Sequence, residues 1–102
     1  MINSPMIEVK KVVNRRAPGA KVVLFGSRAR GDANYDSDWD VLILVDKERI
    51  TAKDFEEINY PIFDIGFQIE QYISPKLYTF KEWEERKFTP FYKNIEKEGI
   101  VI

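Results

Sequence analysis

The chain has 102 residues, with 16 Lys+Arg against 17 Asp+Glu for a net charge of −1, and neither cysteine nor histidine. One domain spanning 1–102 is expected at this length. Its 44% hydrophobic content is enough to fill one modest core. The missing Cys and His exclude disulfides, zinc–thiolate sites and histidine general bases, so any bound metal must take oxygen ligands, as magnesium, manganese and calcium do.

The even charge balance weighs against nucleic acid as a partner. No apolar run approaches the roughly 20 residues that span a bilayer, so no membrane partner is expected. Met1 to Pro5 lacks the basic-then-apolar pattern of a signal peptide, and the expected compartment is the cytoplasm.

In chain order, Ser4-Pro5 reads as a helix start, with Ser capping and Pro at the first helical position. Ile2, Met6, Val9 and Val13 follow at helical spacing until Pro18-Gly19. Lys10, Lys11, Arg15 and Arg16 form a solvated basic face near the helix C-terminus. Lys21 to Phe25 is an apolar, β-branched strand expected to be covered on both faces. A polar, turn-rich segment, Arg28 to Ser37, separates it from a second strand over Trp39 to Val45.

From Thr51 a helix is expected, with Phe55, Ile58, Ile62, Ile65 and Ile69 on one face and Pro61 kinking or splitting it. Tyr72 to Tyr78 reads as a third strand, where Pro75 suggests an edge or a bulge. Thr79 opens a helix through Trp83, and Thr89-Pro90 opens another that stops at Gly99. The expected fold is α+β, a small mixed sheet with helices packed on one side.

One segment concentrates the candidate chemistry: Gly26-Ser27 at the end of the first strand, ten residues, then Asp38-Trp39-Asp40 at the start of the second. Chance would give this pattern in about one chain of this length in a thousand. Residues two apart on a strand share a face, so the two carboxylates would stand about 7 Å apart at their α-carbons. Carboxylates so placed suit shared metal ions and phosphoryl displacement. Gly26 would let a phosphate approach the backbone, the Ser27 hydroxyl would add a hydrogen bond, and Arg28 and Arg30 would add charge. Trp39 and Val41 should face the core and fix the register.

This segment resembles the signature of the DNA polymerase β-type nucleotidyltransferase superfamily, particularly its minimal members. Gly26, Ser27, Asp38 and Asp40 match the core pattern, and the longer form is present at Gly26 to Gly31 and Ser37 to Asp40. Glu84-Glu85 and Asn94 to Ile100 are also similar, less specifically. The resemblance implies a nucleotidyltransferase fold and site residues with family roles. Asp38 and Asp40 are expected to be the catalytic, metal-holding pair, with Mg2+ or Mn2+; Gly26, Ser27 and Arg28 are expected to bind the nucleotide, with ATP the expected triphosphate. An acceptor hydroxyl would attack the α-phosphorus and release pyrophosphate.

The usual third acid, a metal ligand and base on the third strand, falls on Ser74. Glu70 is the nearest substitute but reads better as a surface acid, as does Asp64; Asp36 reads as a turn residue. The resemblance further implies a HEPN-type partner protein, neutralised by AMP transfer, by direct binding, or both. The alternative is a catalytically weak or inactive nucleotide- or partner-binding module of a toxin–antitoxin pair. Phe88, Phe91 and Tyr92 suit a partner surface or core packing equally.

Overall fold

The computed structural model describes residues 4–102. Helix α1 (Met6–Arg16) leads into β1 (Lys21–Phe25), the short α2 (Ser27–Arg30) and β2 (Trp39–Val45). The long α3 (Ala52–Ile69) then crosses to β3 (Ile73–Thr79), followed by α4 (Phe80–Glu84), α5 (Pro90–Glu98) and β4 (Ile100–Val101). The strands form one mixed sheet in the order β3-β2-β1-β4. β1 runs antiparallel to β2 and β4, whereas β2 and β3 are parallel, a pairing that needs the α3 crossover.

The Ser4 hydroxyl accepts from the Met6 N–H at 3.1 Å, the capping expected at that start. Met6, Val9 and Val13 are buried, whereas Ile2 lies outside the described residues. The Thr51 and Asp54 side chains exchange hydrogen bonds with each other's backbone N–H in a capping box that opens α3. Pro61 neither splits nor ends that helix, which is continuous over Ala52–Ile69. Buried Ile58 and Ile62 on either side of it hold both halves against the sheet, and this packing outweighs the lost hydrogen bond. The apolar stripe is buried only in its middle: Phe55 and Ile69, at its ends, remain 44% and 39% exposed.

The sheet has two covered faces. Val22, Leu24, Val41, Ile43, Val45 and Ile73 pack under α1 and α3. The alternate residues Val23, Leu42 and Leu44 pack with Trp83 of α4 and Ile95 of α5. Helices on one side describe the two long helices only; the opposite face is covered as well. That second layer escapes a periodicity reading because α4 and α5 contribute one buried residue each. Strand β4, also unforeseen, is only two residues long and pairs with Val23 and Leu24.

β3 is an edge strand, as Pro75 suggested. The Tyr72 carbonyl accepts from the Trp39 N–H at 2.9 Å. In a parallel ladder this turns the backbone groups of Ser74 and Lys76 toward β2, and those of Pro75 and Leu77 outward. The missing proline N–H therefore falls where no partner strand requires it.

Candidate active site

The end of β1 and the start of β2 lie side by side because Phe25 pairs with Asp40. Immediately after Phe25 the chain turns at Gly26 with φ 77° and ψ −158°, a combination essentially reserved for glycine. The turn also brings Gly26 against Asp40. A Cβ at position 26 would overlap Oδ2 of that carboxylate and lie 3.3 Å from its Cγ. Gly-Ser and Asp-x-Asp thus meet in space, as their spacing led us to expect.

Asp40 alternates with Val41, whose side chain is fully buried under α1 and α3, so the carboxylate projects from the opposite face. It is half-buried, and Asp38 is exposed. Burial, together with the neighbouring Asp38 charge, pushes the Asp40 carboxyl above the usual carboxylate range; Lys76 and Arg30 oppose the shift. Neither carboxylate makes a hydrogen bond or ion pair with another described residue. Two adjacent carboxylates with all their oxygens free, one already resisting ionisation, make a donor set that fits a hard divalent cation.

Ser27 begins α2 and is half-buried; its backbone carbonyl takes the N–H groups of Gly31 and Asp32 at 3.0 and 3.2 Å. The two arginines of α2 are largely committed within the protein. Arg28 donates from Nη2 to the Ser37 and Tyr35 carbonyls at 2.9 and 3.1 Å and stacks 4.3 Å above the Trp39 ring. The Trp39 indole in turn donates to Gln71 at 2.5 Å. Arg28 therefore ties the turn before Asp38 to the first residue of β2, a positioning role that charge and spacing did not reveal. Arg30 bridges Asp32 and Glu98 at 3.3 and 3.1 Å, and the bonds to both raise its affinity for a proton.

Comparison with known proteins fits this geometry. Residues 6–102 match the family model of the nucleotidyltransferase domain. The chain is a member of that family. Over 82 residues it is 38% identical to a Methanocaldococcus jannaschii protein named "Putative protein adenylyltransferase", a match spanning 80% of this chain and 77% of that one. The fold is similar, at a TM-score of 0.62 and 13% identity, to a chain in a crystal structure of a toxin–antitoxin with AMP-PNP; 98% of this chain and 72% of that chain are covered.

The third strand of this nucleotidyltransferase carries no acid beside the pair. Ser74 is the direct β3 partner of Asp40, on the same face, where the resemblance places the third carboxylate. Glu70 does not replace it: it caps the C-terminus of α3 in the left-handed conformation, φ 57°, and is exposed. Among the described residues no group of three or more acids comes together, so Asp38 and Asp40 stand as a pair. Asp64 is an exposed helix residue, and the Asp36 N–H donates to the Asn34 side chain in a turn. Tyr92 packs on Trp83 with ring centroids 4.9 Å apart and joins the core cluster; Phe91 meets the Trp83 ring edge-on at 5.6 Å but stays exposed, and Phe88 is 79% exposed. No helix among the described residues is long and apolar enough to cross a membrane.

Proposed function

We propose that this nucleotidyltransferase transfers AMP from ATP to a hydroxyl of a partner protein, in the manner of an antitoxin acting on a HEPN-type toxin in the cytoplasm. The observation that carries the reading is the meeting of Gly26 with Asp40 while the oxygens of both Asp38 and Asp40 remain unclaimed. The name of the M. jannaschii relative supports adenylyl transfer to protein, and the toxin–antitoxin neighbour, alike in fold, supports a protein partner.

Asp38 and Asp40 would hold Mg2+ or Mn2+, which when bound supplies the positive charge that neutralises the triphosphate. The glycine at position 26 lets the Asp40 carboxylate lie against its backbone, and the Ser27 hydroxyl would donate to a phosphate. Arg28 keeps the turn before Asp38 in place. The acceptor oxygen attacks the α-phosphorus in line, and the bond from that phosphorus to the β-phosphate oxygen breaks. Its electron pair leaves with pyrophosphate, and the hydroxyl proton passes to water. Serine at position 74 has no charge with which to take that proton near neutral pH, so positioning carries most of the catalysis.

The test is label transfer from α-32P-ATP with magnesium into proteins of the source cell, beside the Asp38→Ala/Asp40→Ala double variant. A labelled protein band with the native chain alone is the expected result. Ser74 beside Asp40 favours one second reading, a binding module that keeps the fold and partner surface without turnover. Absence of label where the acceptor is present, with neutralisation of the partner unaffected by the double variant, would establish that reading instead.

A further inference from the structure

Lys76 occupies a position on the sheet that the nucleotidyltransferase signature does not include. In the parallel register Asp40 pairs with Ser74, Leu42 with Lys76 and Leu44 with Tyr78. All six therefore share one face. Tyr78 is covered by Trp83, 5.7 Å between ring centroids, and by Arg86, 4.5 Å above its ring, which closes that end of the strand. Lys76 stands between this aromatic cover and Ser74, on an edge strand, and its side chain is exposed. One strand over and two residues along puts its α-carbon roughly 8 Å from that of Asp40, a gap its four-carbon stem can span.

Of the cations Arg28, Arg30 and Lys76, the two arginines are committed. Arg28 serves the Tyr35 and Ser37 carbonyls and the Trp39 ring; Arg30 serves Asp32 and Glu98. Lys76 makes no ion pair with any described residue. An ammonium with no ion-pair partner, on the same face as the free Asp40 carboxylate, is suited to an arriving anion.

We infer that Lys76 binds the α-phosphate of the nucleoside triphosphate, supplying at the reacting phosphorus the positive charge that a cation on a third-strand carboxylate would otherwise supply. The inference rests on the proposed nucleotidyl transfer. It explains how a site with serine at position 74 still meets the charge developing on the phosphoryl oxygens. Lysine suits the task because its ammonium is a compact point charge on a flexible stem that can reach an arriving nucleotide.

Calorimetric titration of the full chain with Mn2+ alone, and with Mn2+ plus α,β-methylene-ATP, tests the assignment. The native chain is compared with Lys76→Met and Lys76→Arg, and thermal melts confirm folding. Lys76→Met is expected to weaken analogue binding by about tenfold or more, and Lys76→Arg to restore it to within roughly threefold. Mn2+ alone should bind Lys76→Met at least as tightly as native, because a competing cation beside Asp40 has gone.

Unchanged analogue binding in Lys76→Met would overturn the inference and make Lys76 a counter-ion of Asp40 only. Parallel weakening of Mn2+ and analogue would also overturn it. If the native chain and an Asp38→Asn/Asp40→Asn variant bound the analogue equally, the reading of the site itself would fail, a result distinct from either.

Discussion

Gly26→Ala separates backbone strain from damage to the site, because Gly31 provides a matched control. Both glycines have positive φ, +77° and +85°. A methyl at Gly31 meets nothing within 4 Å, so Gly31→Ala bears the cost of a left-handed alanine and no clash. That cost is about 1–2 kcal/mol. A methyl at Gly26 enters a region of backbone space almost closed to other residues, at about 1–3 kcal/mol, and also overlaps the Asp40 carboxylate. Relief requires Asp40 to rotate away or the end of β1 to shift, and an error of ~1 Å at a reacting centre costs on the order of 100-fold in rate.

In a domain of this size each kcal/mol lowers Tm by roughly 4–8 °C. Gly31→Ala should therefore melt roughly 4–16 °C below native and keep its Mn2+ affinity and transfer rate at temperatures where it is folded. Gly26→Ala should melt comparably low or lower and lose on the order of 100-fold in transfer, with weakened Mn2+ binding. Calorimetry and label transfer on the two variants decide the matter. If Gly26→Ala kept native Mn2+ affinity and transfer, the contact with Asp40 would have no functional weight, and the argument that the two halves of the motif form one site would fail.

Arg28→Ala should destabilise the fold by about 1–2 kcal/mol through lost carbonyl contacts and stacking, and should speed amide exchange across 32–37. Arg28→Lys should fail to restore protection, because an ammonium cannot both fork to two carbonyls and stack. The Lys47 ammonium and the Thr51 backbone N–H hold the Asp54 carboxyl below its usual range. A lowered value stabilises the fold above the ordinary aspartate pKa, and this is lost as pH falls through the folded value. Urea midpoints of native protein should thus fall on acidification below about pH 4, while those of Asp54→Asn start lower and change less over the same range. Asp40 has the opposite sign: its raised value makes its ionisation oppose folding, so its contribution is lost as pH rises through the folded pKa. Carboxyl 13C NMR of Asp38→Asn should show the Asp40 midpoint moving down, since one of the two causes of its elevation has gone.

Much of the fold was legible because the strongest elements carry their signals locally. Lys21 to Phe25 and Trp39 to Val45 are β-branched and apolar through most of their lengths, and the strands fall on those residues. Thr79 and Thr89 announce the starts of α4 and α5 by capping chemistry. Pro61 misleads because its local preference is overruled by packing of Ile58 and Ile62, which no window of sequence contains. The second helical layer misleads for a related reason, since Trp83 and Ile95 complete one cluster from two short helices that bury one residue each.

The site divides along the same line. The placement of Gly26-Ser27 and Asp38-Trp39-Asp40 at adjoining strand ends was legible from their spacing, and pairing of Phe25 with Asp40 brings them together. The arginines were not, because charge and spacing do not distinguish a cation waiting for a ligand from one engaged by the chain's own carbonyls. Arg28 and Lys76 show both cases. The first stands within the motif and serves its scaffold; the second stands far from it in sequence and faces its carboxylates. What placed Lys76 was the parallel register between β2 and β3, a long-range pairing. That same register sets Ser74 against Asp40, so the loss of an acid and the presence of a free ammonium two residues later belong to one strand and one face. A site that has lost negative charge needs less added positive charge to hold a polyanion, and a lysine on a mobile stem can supply it without a further metal ligand.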